Sequence, residues 1–431
     1  MTTDSPKEEL AFNEICSHLN DLQDHVLEIE ILSVASCPPG PPRILRDGNC
    51  IGIPKTLLIP AFKHALDILA LGRSPQVGVS AVEKDAHKDE ISRVTIPIEV
   101  TYSQTTQHLR LKATAIVLLL APEHLTAANI RKRHLQQLAS TSVLPSQDPH
   151  VSEHLAHALH HELNLLDSLQ TSPLHRHAKS PTLWSHRRWI MATIPAPAIL
   201  DGRRGMEGEY EIVHRAAGRH ARNYVAFDYL RRRMRGAQGL DSCADEGEGE
   251  SGRGKMIVAV PIETLAAHAL SNPSDTSRLS FLQHVLHLHT LHAHHPPDHN
   301  PTTTSQASNV AASTVQHILT TALDLRLRGA AIWNFLRLAL MSQEGAGVGE
   351  GERLEMLRRL REWRDGAGGG GGGGGGGEAA DANAEVEVDA NRGVYARDLS
   401  ELCTAVDRSL RWIAAKGVDL NVDERKGGGD T

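Results

Sequence analysis

The stretch Ser180-Pro181-Thr182-Leu183-Trp184-Ser185-His186-Arg187-Arg188-Trp189-Ile190-Met191 decides how this chain folds, because its frame recurs along the sequence. With Trp184 as position zero, matching zero positions fall at Ala128, Phe227, Leu279 and Trp333, so the copies span 124–135, 180–191, 223–234, 275–286 and 329–340. One residue after zero every copy carries a small polar side chain: Asn129, Ser185, Asp228, Ser280 and Asn334. Four after zero the side chain is cationic in four copies (Lys132, Arg188, Arg231, Arg337) and Gln283 in the remaining one. Seven after zero it is apolar throughout: Leu135, Met191, Met234, Leu286 and Leu340. Four before zero stand Ser180, Asn223, Asp275 and Gly329, residue types that favour a helix N-cap, with His124 the exception.

The frame therefore predicts a helix start. Positions zero, +4 and +7 share one face of a 3.6-period helix, so each copy lays an apolar stripe beside a basic residue. Pro181 follows its cap, at the first helical position, where a missing N–H costs nothing. A second helical pattern precedes the copies, as at 153–169 before Trp184 and 261–270 before Leu279, so each repeat reads as a helical hairpin. Two helices per unit and spacings of 43 to 56 residues argue for an all-α protein, an α-solenoid of about five hairpins in which no unit buries its apolar face alone.

Around the repeats the composition narrows the function classes. A net charge of −7 speaks against general nucleic-acid binding, which needs a basic face to displace counterions. Cys16, Cys37, Cys50, Cys243 and Cys403 are scattered, odd in number and without a C-x-x-C pair, which fits a reduced protein with no disulfide framework or cysteine zinc site. The longest apolar run, 113–121, is too short to span a bilayer, so the expectation is a cytoplasmic protein with no transmembrane segment.

Along the chain, residues 1–120 read as an N-terminal mixed helical segment. It has an amphipathic helix within the first 35 residues, an extended piece around 47–49, helices over 56–70 and 109–120, an irregular insertion over 72–96 and a strand-like stretch at 94–102. The repeats occupy 121–343, interrupted by low-complexity stretches at 236–255 and 292–308 that are expected to be disordered. Residues 344–395 read as a mostly disordered Gly- and acid-rich linker containing the poly-Gly tether 368–377, and 396–416 as a C-terminal helix that docks on the last repeat.

Leu183-Trp184-Ser-His186-Arg187-Arg188-Trp189, Asn223-Tyr224-Val-Ala226-Phe227-Asp-Tyr229 and Trp333-Asn334-Phe335-Leu336-Arg337 resemble the repeats of protein prenyltransferase α subunits. The stretches 118–122 and 127–132, with Asn129 and Arg131, are similar to that family's opening repeat, which usually has Trp where Ala128 stands. Among its branches the chain most resembles the protein prenyltransferase α subunit repeat-containing proteins, over roughly half of its length. The resemblance implies a crescent of hairpins wrapped around a β subunit that holds the zinc and the isoprenoid diphosphate. The pair would transfer a farnesyl or geranylgeranyl group to a protein substrate with a C-terminal cysteine, and this chain itself would bind no cofactor or metal. Family members carry a cation, Asn and an aromatic where Arg222, Asn223 and Tyr224 stand, so Arg222 and Tyr224 are the catalytic candidates, stabilising the leaving diphosphate.

The competing structural account of Arg222-Asn223-Tyr224 is a capped helix with a surface Arg and a packed Tyr. Departures from the family pattern are Leu230, Leu282 and Leu336 in place of an Arg, and a fourth copy without its aromatic at Leu279. A non-catalytic helical-repeat scaffold for another protein is therefore the alternative. Trp184, Arg187, Arg188, Phe227, Arg231, Trp333 and Arg337 are expected to be structural, with Arg188, Arg231 and Arg337 reaching carbonyls or acids of adjacent units. The cluster His284 to His299 is a compositional signal without helix-fixed ligand spacing, and His154, His157 and His161 read as one solvated helical face.

Overall fold

The computed structural model describes residues 5–19, 22, 25–71, 104–142, 149–194, 205–237, 261–294, 301–341, 348–368, 404 and 407–411. The chain is mostly helical and divides into two compact units, Met1–His220 and Ala221–Thr431. The insertion over 72–96, the strand-like 94–102, most of 236–255 and the glycine run after Gly368 lie outside the described residues.

In the first unit, α1 (Ser5–Leu19), α2 (Lys55–Leu71) and α3 (Gln104–Leu120) pack on one another, and α3 leads into α4 (Leu125–Ser142) and α5 (Pro149–Thr171). A short α6 (His175–Ala178) is followed by α7 (Pro181–Thr193) and α8 (Met206–Arg219). Both α7 and α8 pack on α5. One continuous core joins the N-terminal helices to the first repeats, with Phe12, Leu58, Ile116, Leu166 and Leu183 buried in it.

Between α1 and α2 the helical reading is incomplete. Here β1 (Glu28–Leu32), β2 (Leu45–Asp47) and β3 (Cys50–Pro54) form a sheet of order β1-β3-β2, with β1 parallel and β2 antiparallel to β3. The extended piece around 47–49 is its hairpin turn, where Gly48 takes a φ of 56° that a side chain disfavours. The outer edge of β1 is closed by a helix. Leu27 and Ile29 donate their backbone N–H groups to the hydroxyls of Ser168 on α5 and Ser172 just beyond its end, both at 2.7 Å. Those bonds satisfy an edge that would otherwise be open to pairing with another strand.

In the second unit, α9 (Tyr224–Ala237), α10 (Ile262–Leu270), α12 (Pro301–Asp324) and α13 (Ala330–Met341) all pack on α11 (Thr276–His294). α14 (Glu350–Gly368) packs on α12. Two expectations are corrected here. Residues 301–308, expected to be disordered, form the first two turns of α12: Pro301 is compatible with the first helical position, and the packed half of the helix from Ala311 to Leu323 supplies the nucleus for extension. Residues 350–368, expected in a linker, form α14, because Met356, Leu357 and Leu360 make a buried stripe that composition alone hides. Residues 407–411 of the expected C-terminal helix are helical, and Leu410 among them is buried.

Candidate functional site

All five copies of the frame begin a helix where the sequence places the start: α4, α7, α9, α11 and α13 each follow directly on His124, Ser180, Asn223, Asp275 and Gly329. Four of those residues cap through their side chains. Ser180 Oγ accepts from Leu183 N–H at 3.1 Å, Asn223 Oδ1 from Ala226 N–H at 3.3 Å and Asp275 Oδ1 from Ser277 N–H at 2.9 Å. His124, the apparent exception, uses Nδ1 in the same way, accepting from Ala127 N–H at 3.1 Å. Trp184 and Trp333 are buried and each donates its indole N–H six residues back, to the Ala178 carbonyl at 2.8 Å and the Leu327 carbonyl at 2.7 Å.

The cation that ties repeats together stands at +3 rather than the expected +4. Arg187, fully buried, donates to both Glu209 oxygens at 2.7 Å and also meets Asp167 and Gln170. Arg131 donates to both Glu162 oxygens at 2.6–2.9 Å and to the Leu111 carbonyl and Thr114 hydroxyl at 3.0 Å. Burial alone would raise the Glu162 carboxyl, but Arg131 and the hydrogen bond from His186 outweigh it and hold the group well below the usual carboxylate range. These carboxylates on α5 and α8 went unrecognised in the sequence because their partners lie 20 to 31 residues away.

The +4 residues have lesser roles. Arg188 is half-buried, and Arg231 donates to the Ser280 hydroxyl at 3.0 Å while its guanidinium lies 5.9 Å from the Phe281 ring. Arg337 turns back on its own helix, to the Trp333 carbonyl and Asn334. Asn129 is exposed. In the fourth copy the missing aromatic is supplied two residues on, by Phe281, whose ring packs 5.2 Å from that of Phe227. Its missing cation is supplied one residue before zero, by Arg278, which donates to the His268 carbonyl at 2.9 Å and lies 3.5 Å from Asp275.

Arg222 and Tyr224 flank the capping Asn223, which is fully buried, and both are exposed. Tyr224 is 52% exposed rather than packed, and its hydroxyl hydrogen-bonds the Thr276 hydroxyl at the start of α11. Arg222 holds a φ of 60°, a left-handed conformation unusual for a side-chain-bearing residue, and its N–H donates to Asp275 Oδ1 at 3.1 Å. The Asp275 oxygen thus binds the Arg222 backbone, Ser277 N–H and Ser277 hydroxyl together. Two helix N-termini, those of α9 and α11, are linked by these bonds, with a guanidinium and a phenol outside them. The Arg222 side chain is exposed and, among the described residues, in no ion pair, beside the positive helix ends.

Of the histidines expected to form a solvated face on α5, His154 and His157 are exposed, but His161 is half-buried. His157 and His161 line a cavity with residues of α1, α3 and α4. Among the described residues no group of three His, Cys, Asp or Glu side chains is arranged to hold a metal ion. Among them, too, no helix is long and apolar enough to cross a membrane. No protein-family model matches the chain, and no curated protein matches it.

Proposed function

We propose that this chain is the α-like subunit of a heterodimeric protein prenyltransferase, supporting transfer of a farnesyl or geranylgeranyl group to a protein's C-terminal cysteine. The observation that carries the proposal is the exposed Arg222–Tyr224 pair on the linked N-termini of α9 and α11. In this proposal the five hairpins form one α-solenoid, and the zinc and isoprenoid diphosphate belong to a partner β subunit. Negative charge builds on the departing diphosphate as the carbon–oxygen bond breaks. A guanidinium and a phenolic O–H fixed beside it stabilise that charge without moving a proton, and the helix N-termini add to the same field. The left-handed Arg222 backbone fits this role, since such strain persists where surrounding bonds enforce it.

A non-catalytic repeat scaffold draws support from a different observation. Leu230, Leu282 and Leu336 are buried where the first two copies place Arg131 and Arg187, so the hairpins of the second unit are held by apolar contacts at that position. The two readings separate on Arg222→Ala combined with Tyr224→Phe, assayed in the purified complex. A fall in turnover of at least about tenfold, with the complex intact, is expected for loss of transition-state stabilisation. Unchanged turnover assigns the site to the scaffold reading.

A further inference from the structure

The cavity in the first unit, partly open to solvent, has a volume of about 170 Å³ between α1, α3, α4 and α5. Its apolar lining is made by Leu19, Leu22, Leu111, Ala115 and Leu135. For scale, a dry cavity of about 150 Å³ accepts a benzene ring. The rest of the lining collects cations and imidazoles. Lys112 and His108 come from α3, His134 from α4, and His157 and His161 from α5.

Among the described residues countercharge is scarce there. The carboxylate among the lining residues is Glu162, and both its oxygens are already taken by Arg131, with His186 of α7 on one of them. The Cys16 thiol of α1 could supply a second negative charge only as thiolate, and burial pushes it up to about 11, so it stays protonated at neutral pH. His161 is driven down to about 4 by burial, then by Arg131, His157 and His108, with Glu162 opposing. His134 is lowered in the same way, by burial first and then Arg131. Burial and neighbouring positive charge thus favour the neutral form of His134 and His161.

We propose that this cavity binds a small organic acid, a ring-sized apolar body bearing one carboxylate, with that carboxylate directed at Lys112, His134 and His161. The bound carboxylate supplies the missing negative charge, restores a favourable environment for imidazolium and so draws a proton onto the site. Binding is coupled to proton uptake, and affinity rises as pH falls.

The test is titration of the full chain with benzoate by calorimetry between pH 7.5 and 5.5, in two buffers of different ionisation enthalpy to count protons. Uptake of one proton per ligand corresponds to a gain of up to about tenfold in affinity per pH unit. His134→Gln together with His161→Gln flattens that dependence with the helical signal unchanged, Lys112→Met weakens binding about tenfold, and benzyl alcohol, an uncharged analogue, binds more weakly than benzoate. Lys112→Gln, which keeps a polar tip at this half-buried position, serves the same purpose if Lys112→Met fails to fold. Equal binding of benzyl alcohol, or a pH dependence that persists with both imidazoles replaced, overturns the proposal. Stoichiometric binding of zinc alone, with benzoate failing to bind, overturns it in favour of a metal site.

Discussion

Arg187→Met is the most informative single change in the first unit. It keeps the aliphatic stem and removes the guanidinium that bridges α5, α7 and α8. In the native protein that group is fully buried and holds Glu209, also fully buried, through two bonds of 2.7 Å, while a further N–H reaches Asp167, whose side chain is 3% exposed. Removing one member of a buried ion pair leaves charge in a dry interior and costs about 3 to 5 kcal/mol. For a unit of about two hundred residues each kcal/mol moves the melting temperature by about 2 to 4 °C. The expected fall is therefore about 10 °C by circular dichroism, together with amide exchange faster by roughly two to four orders of magnitude in peptides from α5, α7 and α8. Replacing the partners as well, with Arg187→Met, Asp167→Leu and Glu209→Met together, is expected to recover most of the loss, because well-packed apolar side chains often substitute for a buried ion pair at little cost. A single mutant that melts within 2 °C of wild type, or a triple mutant less stable than the single, would refute the reasoning.

Three further changes probe other parts of the structure. Trp184→Ala, which empties a fully buried site and removes the indole N–H that donates to the Ala178 carbonyl, is expected to cost about 3 to 5 kcal/mol in chemical denaturation; a cost below about 1 kcal/mol contradicts its place in the core. Arg222→Gly relieves a left-handed backbone and is expected to raise stability by about 1 kcal/mol while lowering prenyl transfer; loss of stability would show that the side chain is a packing element. Stability should also decline with acid. The His177 ring, buried and hydrogen-bonded to the Leu118 and Leu119 carbonyls, is lowered to about 4 chiefly by burial, so the folded state binds fewer protons than the unfolded one. Its contribution is complete above the ordinary histidine value of 6.5 and is lost as pH falls toward 4, by up to about 3 kcal/mol. A melting temperature flat from pH 7 to 4.5 counts against it.

The helix starts were legible in the sequence because they are local. A cap, a face and a spacing are all written within twelve residues, and even His124 fills its capping place with a different atom. What escaped depends on distant partners. The strand Glu28–Leu32 has its edge satisfied by serines more than 140 residues away, which no window around it contains. The +3 arginines and the +4 cations look alike in sequence, and only the carboxylates of α5 and α8 distinguish them. Helix α14 was obscured by its glycine-rich surroundings, although Met356, Leu357 and Leu360 carry the helical spacing. At the candidate site the cap at Asn223 was readable, whereas the bonds from Asp275 and Thr276 that fix Arg222 and Tyr224 come from the next repeat.

The most direct test of the central claim is co-purification of the full chain from cells, followed by incubation of the captured complex with isoprenoid diphosphate and a peptide ending in a C-terminal cysteine motif. The account predicts a zinc-containing partner and a peptide gaining the mass of a farnesyl or geranylgeranyl thioether, with neither half active alone. Capture of a partner that lacks zinc, with the peptide mass unchanged, would contradict it.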